Sequence, residues 1–201
     1  SFEHVLDGLH SYFYTVTVSY DGFDPNEKTE FYSMEDECEK IEQEIRKKHG
    51  GSIKAAYGCS LGGSFVSLLI QRKRIHIEHG IIGSSDMDEA GNLVAKIQAS
   101  MVVPFMYKMV HTGALPKFMQ KKLNKTGEAK KELYNGFLNM FGIGKGGSPW
   151  ITKQSIYNQF YSDLVTKVQH GIDVPGTTIH VFYATKMGKK YEKRYWTYFK
   201  N

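Results

Sequence analysis

The sequence predicts an α/β fold, a parallel sheet flanked by helices and interrupted by a long helical insertion. Three observations carry this expectation. Apolar strand-type segments alternate with helical segments over short connections, which implies parallel strands covered on both faces. A glycine-rich turn joins an apolar strand to an apolar helix within residues 53–70. Residues 88–173 carry helical patterns and no convincing strand.

Each element follows from its local pattern. Phe2, Val5, Leu6, Leu9 and Phe13 recur at helical spacing, which predicts a helix over 1–13. Tyr14 to Tyr20 is rich in Thr, Val and Tyr and predicts a strand. Asp21, Gly22, Asp24, Pro25 and Asn26 then predict a loop. Ser33 is a candidate N-cap with Asp36 three residues on. Met34, Cys38, Ile41 and Ile45 share one face of the helix that follows, and Gly50 and Gly51 stop it. Ile53–Tyr57, Ile75–Ile82 and Thr177–Ala184 predict strands, and Phe65–Ile70 predicts a buried helix. Tyr191, Tyr195, Tyr198 and Phe199 mark a final helix. Pro104, Pro116 and the run 142–149 are expected to divide the helical stretch. The organisation is therefore a core over 1–88 and 174–201, with a helical insertion over 89–173.

Composition narrows the function classes. The chain has 201 residues, 41% hydrophobic and 23% charged, which is ordinary globular usage and argues against a disordered or fibrous protein. No uninterrupted apolar run approaches the ~18 residues of a membrane helix, so no membrane span is expected. Residues 1–20 contain Glu3 and Asp7 and lack a basic start, unlike a signal peptide. Cys38 and Cys59 cannot make a disulfide framework, which fits a reducing, cytoplasmic setting. The net charge of +5 permits an anionic partner without requiring one. Lys117, Lys121, Lys122, Lys125, Lys130 and Lys131, and later Lys186, Lys189, Lys190, Lys193 and Arg194, are basic clusters. The Tyr spacing beside the later cluster is that of a buried helix face with Lys on the solvated side, so no nucleic-acid partner is expected. A homo-oligomer is left open.

The string Tyr57-Gly58-Cys59-Ser60-Leu61-Gly62-Gly63 carries the chemistry. It fits G-x-S-x-G at Gly58, Ser60 and Gly62, entered by an apolar strand and left by an apolar helix. Such a turn is sharp and strained, so the residues two positions from the serine must lack bulk. It exposes the serine Oγ at the C-terminal edge of the sheet. It also sets Ser60 at a helix N-terminus, where the Leu61 N–H is free to meet developing negative charge.

In that string and in the order of its elements, the chain resembles the α/β-hydrolase family, over nearly its whole length. Residues 1–20 resemble the first helix and fourth strand, 53–70 the fifth strand, elbow and next helix, 75–86 the sixth strand and 177–184 the seventh. The helical stretch lies where the family inserts a cap. The resemblance implies a serine hydrolase that cleaves an ester or related acyl bond through an acyl-enzyme on Ser60, with a small-molecule acyl substrate and no cofactor or metal. It implies an acid, in many relatives just after the seventh strand, where this chain reads Thr185-Lys186-Met187-Gly188, and in a minority at the end of the sixth, where Asp86 is the first choice and Asp88 the second. Either aspartate would alternatively open the next helix as an N-cap. It implies a histidine base after the last strands, yet the last histidine is His180, inside the predicted seventh strand. The family's third strand, which lies between the fourth and fifth and supplies an oxyanion donor, also has no counterpart. These departures predict that residues 1–201 are part of a longer hydrolase; a partner chain filling the gap and a rearranged fold are the alternatives. A non-catalytic binding or scaffold protein on the same fold is the second functional reading, and a lyase or transferase the third.

Three other signals are set aside. Gly142, Gly144 and Gly147 satisfy G-x-G-x-x-G but follow a helical pattern rather than a strand. His76 and His79 are three apart on a strand and point to opposite faces, so they would not share a metal. Met101, Met106, Met109 and Met119 suit either an adaptable pocket or ordinary core.

Overall fold

The computed structural model describes residues 3–117, 120–121, 125, 146–185 and 188–200. Gly142, Gly144, Met119, Lys122, Lys130, Lys131 and Lys186 lie outside the described residues, as does the helical pattern 131–141. The elements are α1 (Glu3–His10), α2 (Met34–His49), β1 (Ser52–Cys59), α3 (Leu61–Arg72), β2 (His76–Gly83), α4 (Asn92–Thr112), α5 (Lys153–Val165), β3 (Thr178–Phe182) and α6 (Lys189–Tyr198). The chain divides into two compact units, Ser1–Phe31 with Ala99–Tyr157, and Tyr32–Gln98 with Asn158–Asn201.

The second unit holds a three-stranded sheet in the order β1-β2-β3. Both pairings are parallel; Ser52 lies opposite His76 and Cys59 opposite Gly83, and His79 lies opposite Thr178. Parallel neighbours need a crossover, and α3 supplies it between β1 and β2. Residues Gly63 to Ile70 of α3 are all buried. Gly80 explains how closely that helix sits, because a Cβ there would lie 2.3 Å from Ile70 Cδ1. Phe65, Leu68, Leu69, Ile77 and Ile82 form the centre of this core.

Helix α2 follows its sequence signals. Ser33 Oγ accepts the Asp36 N–H at 3.1 Å, and Gly50 ends the helix at φ +61°. Glu42 is fully buried and bonded twice by Arg72 of α3, at 2.5 Å from Nε and 3.1 Å from Nη2. Beside it the buried Cys38 thiol is pushed up to about 12, chiefly by burial.

The first unit centres on Phe31, fully buried, with Tyr20 and Phe23 against it edge to face at 6.3 and 6.1 Å. Gly22 is required there: it sits at φ +77°, and a Cβ would lie 2.4 Å from Ser155 Oγ. That hydroxyl accepts the Phe31 N–H at 3.2 Å.

Two expectations fail. Residues 14–20 form no strand, and Tyr14, Val16 and Val18 are 87%, 62% and 54% exposed. Strand propensity here meets no partner ladder among the described residues, and propensity without pairing does not make a strand. Pro104 does not divide the helical stretch, because α4 runs through it. Ser100, whose carbonyl loses its bond to residue 104, is exposed and so open to water. Ala95, Ala99, Val103 and Val110 form the buried stripe of α4, whereas Met101 is 75% exposed and is not core. By length and by a mean hydropathy of 1.2 over 18 residues, α4 is apolar enough to cross a membrane, although Lys96, Gln98 and Ser100 interrupt any continuous apolar run.

Candidate active site

The turn between β1 and α3 is sharp and strained at Ser60. Ser60 stands at φ +54° and ψ −123°, a conformation that side chains with a Cβ avoid, and its side chain is exposed. Its N–H donates to Gly83 O at 2.7 Å, and its carbonyl accepts the Gly63 N–H at 2.8 Å. Among the described residues Ser60 Oγ makes no capping bond. Leu61 opens α3, so its N–H belongs to the first turn that helix geometry leaves without an intrahelical acceptor.

Only part of the glycine requirement lies where the motif places it. A Cβ on Gly58 would lie 1.9 Å from Gly62 O and 2.8 Å from Gly63 N, so the strand and helix backbones cross at that point. A Cβ on Gly62 would meet nothing within 4 Å. The second crowded glycine is Gly63, where a Cβ would lie 2.8 Å from Ser85 Cβ and 3.0 Å from Ile82 Cγ2.

The loop after β2 reaches the same edge of the sheet, since Gly83 is bonded to Ser60 and ends β2. It is strained twice, with Ser84 at φ +47° and Met87 at φ +49°. Ser84 ties it to the end of β3: its N–H donates to Phe182 O at 2.7 Å, and its Oγ accepts the Ala184 N–H at 3.1 Å. Helix α6 braces the other side. Arg194 donates to the Asp86 carbonyl and to the Asp88 carboxylate, the latter at 2.5 Å. The Tyr195 hydroxyl donates to Ser85 O, and the Tyr198 hydroxyl donates to Glu89 at 3.0 Å. Both phenols are pushed up to about 12, mainly by burial, with Asp86 next for Tyr195 and Glu89 next for Tyr198.

Asp86 and Asp88 are both exposed, and neither caps α4, which begins at Asn92. Asp88 is held in an ion pair with Arg194, leaving Asp86 as the freer carboxylate of the two. A third carboxylate joins them. Asp163 on α5 shares a small cavity with Ser64, Met87, Asp88 and Glu89. Burial first, and the charge of Asp86 next, push it up to about 6, while the nearby Ser64 hydroxyl pulls the other way. The sequence reading missed Asp163 because no motif marks it and nearly a hundred residues separate it from Ser64. Ser64 in turn meets Ser85 at 3.0 Å, with both side chains buried.

The histidines lie elsewhere. His180 is inside β3, where Ile81 is its register partner, and its Nε2 lies 3.2 Å from His79 Nδ1. His170 stands edge-on to Tyr198 with ring centroids 5.0 Å apart. The arrangement thus offers an exposed hydroxyl at a helix N-terminus, with carboxylates on the loop that follows the neighbouring strand, and no described histidine bonded to the hydroxyl.

No family model matches the chain, and no curated protein matches it. Among solved structures, the chain is similar to a protein of Desulfitobacterium hafniense described as belonging to the alpha/beta hydrolase family. The likeness has a TM-score of 0.61 at 14% identity and covers 96% of this chain and 86% of that one. At that identity it shows the fold: a parallel sheet flanked by helices, of the α/β-hydrolase type.

Proposed function

We propose that this chain carries the nucleophile of a serine hydrolase that cleaves an ester or related acyl bond. The observation that supports the reading most is the backbone of Ser60. A non-glycine residue at φ +54° costs about 1–3 kcal/mol, and such strain clusters at functional sites. In the proposed reaction Ser60 Oγ gives its proton to a general base and attacks the acyl carbonyl; the bond to the leaving group breaks, that group departs with the proton, and water then hydrolyses the acyl-enzyme to the acid and free Ser60. The Leu61 N–H stabilises the oxyanion, aided by the positive end of the α3 dipole. Asp86 orients the histidine that serves as general base and balances the charge it gains. Gly58 is the residue that lets the strand and helix cross closely enough to form the turn.

The test is labelling of the full-length protein with a fluorophosphonate probe beside the Ser60→Ala variant. Labelling of the wild type alone is expected. Equal labelling of both proteins, or none of the wild type, sinks the reading. A second reading, a non-catalytic binding protein on the same fold, is favoured by one observation: no described histidine bonds Ser60 Oγ. It predicts no labelling of a protein that is otherwise folded.

A further inference from the structure

We propose that His79 and His180 form a binding site for a borderline divalent transition ion such as Zn²⁺, Ni²⁺ or Cu²⁺, on the sheet and apart from Ser60. The two residues are 101 positions apart in sequence, and the parallel register of β2 and β3 brings them together. Ile81 lies opposite His180, so His79, two residues earlier on β2, shares its face of the sheet. His79 Nδ1 and His180 Nε2 are 3.2 Å apart. Two imidazole nitrogens bound to one tetrahedral ion at about 2.0–2.1 Å stand about 3.3 Å apart, so this spacing needs almost no rearrangement. The rings meet at 49° with centroids 5.2 Å apart, so they are tilted rather than stacked face to face.

The other nitrogen of His79 supplies the second argument. Its Nε2 lies 3.4 Å from the Glu78 carboxylate. The contact is electrostatic rather than a hydrogen bond, and the carboxylate charge favours a proton on Nε2 over one on Nδ1. Carboxylate, imidazole and ion in series are the usual outer support of a metal-bound histidine. Glu78 is itself held by Lys54 across the strand pair, which fixes the carboxylate. The His79 side chain is 37% exposed, so an ion has access and water fills the remaining positions. His76 is not part of the site; it packs over Gly176, where a Cβ would lie 3.0 Å from its ring.

The experiment is calorimetric titration of Zn²⁺, Ni²⁺ and Cu²⁺ salts into the full chain at neutral pH, with no activity readout. One saturable ion per chain is expected, with affinity rising from Ni²⁺ to Cu²⁺ and falling again at Zn²⁺. His79→Asn and His180→Asn are each expected to weaken binding at least tenfold, and Glu78→Gln by about tenfold through loss of the outer support. His76→Asn is expected to bind as the wild type does. Binding is also expected to fall as the pH is lowered, because ligating imidazoles must be neutral. Thermal melts identify any variant that fails to fold, and the exposed Glu78→Gln change keeps the test open if a histidine variant does. Absence of saturable binding up to about 1 mM ion, far weaker than a two-imidazole site gives, overturns the proposal and leaves a simple His–His hydrogen bond. Binding that survives either histidine substitution overturns it as well.

Discussion

Ser60 donates its backbone N–H to Gly83 O at 2.7 Å, so the turn after β1 is fastened to the last residue of β2. This bond presents the serine beside the strained loop that carries Asp86. It also holds Ser60 in its left-handed conformation. Ser60→Gly keeps the N–H and removes the Cβ that makes φ +54° costly. The variant is expected to be more stable than the wild type by about 1 kcal/mol and to lose all reaction with a fluorophosphonate. Denaturant titration and probe labelling on the same samples check both halves. A destabilised Ser60→Gly would mean that the turn is not strained.

The two motif glycines are expected to respond in opposite ways. Gly58→Ala drives a methyl group into the Gly62 carbonyl at 1.9 Å, where the obstacle is backbone and cannot turn aside. A loss of at least about 2 kcal/mol is expected, seen as a lower melting temperature. Gly62→Ala adds its methyl group to open space in the first turn of α3, and alanine is the better helix former. A gain of about 0.5–1 kcal/mol is expected. Equal destabilisation by both would contradict the geometry.

That contrast shows what was legible in the sequence and what was not. The sharp turn at Ser60, the Ser33 cap and the α2 stop were readable because each is decided within a few consecutive residues by turn geometry and capping bonds. The exchange of Gly63 for Gly62 as the crowded glycine was not, since it depends on Ser85 and Ile82 arriving from the next strand. The predicted strand at 14–20 failed for the same kind of reason: a strand exists only with its ladder, and its own residues cannot report one. Asp163 and the His79–His180 pair belong to this class too. Their environment is assembled by contacts across nearly a hundred residues of chain or more, and no local spacing marks them.

Arg72 and Glu42 give a prediction about the core. Glu42 is fully buried, so Arg72→Met strands a carboxylate with only Arg74, 3.6 Å away, to compensate. That single change is expected to cost about 3 kcal/mol. The double variant Glu42→Met with Arg72→Met replaces the pair by apolar atoms and is expected to cost less than either single change. A double-mutant cycle by denaturant unfolding decides it, and additive losses would show that the pair is not coupled.

Asp163 makes stability depend on pH in a direction that is unusual for a carboxylate. Its folded value, about 6, lies above the ordinary 3.8, mainly through burial and then through Asp86. The folded protein therefore holds this proton more tightly than the unfolded chain does. Where the folded state binds more protons, stability falls as pH rises. The contribution is fully present below pH 3.8 and is lost as the pH climbs through about 6. The size is on the order of 2 kcal/mol for a shift of roughly two units on a partly exposed group. Asp163→Asn keeps an oxygen near Ser64 and abolishes the titration. The variant is expected to match the wild type near pH 4 and to exceed it in stability near pH 8. Unfolding curves across that range check it, and a wild type whose advantage over the variant grows with pH would reverse the assignment.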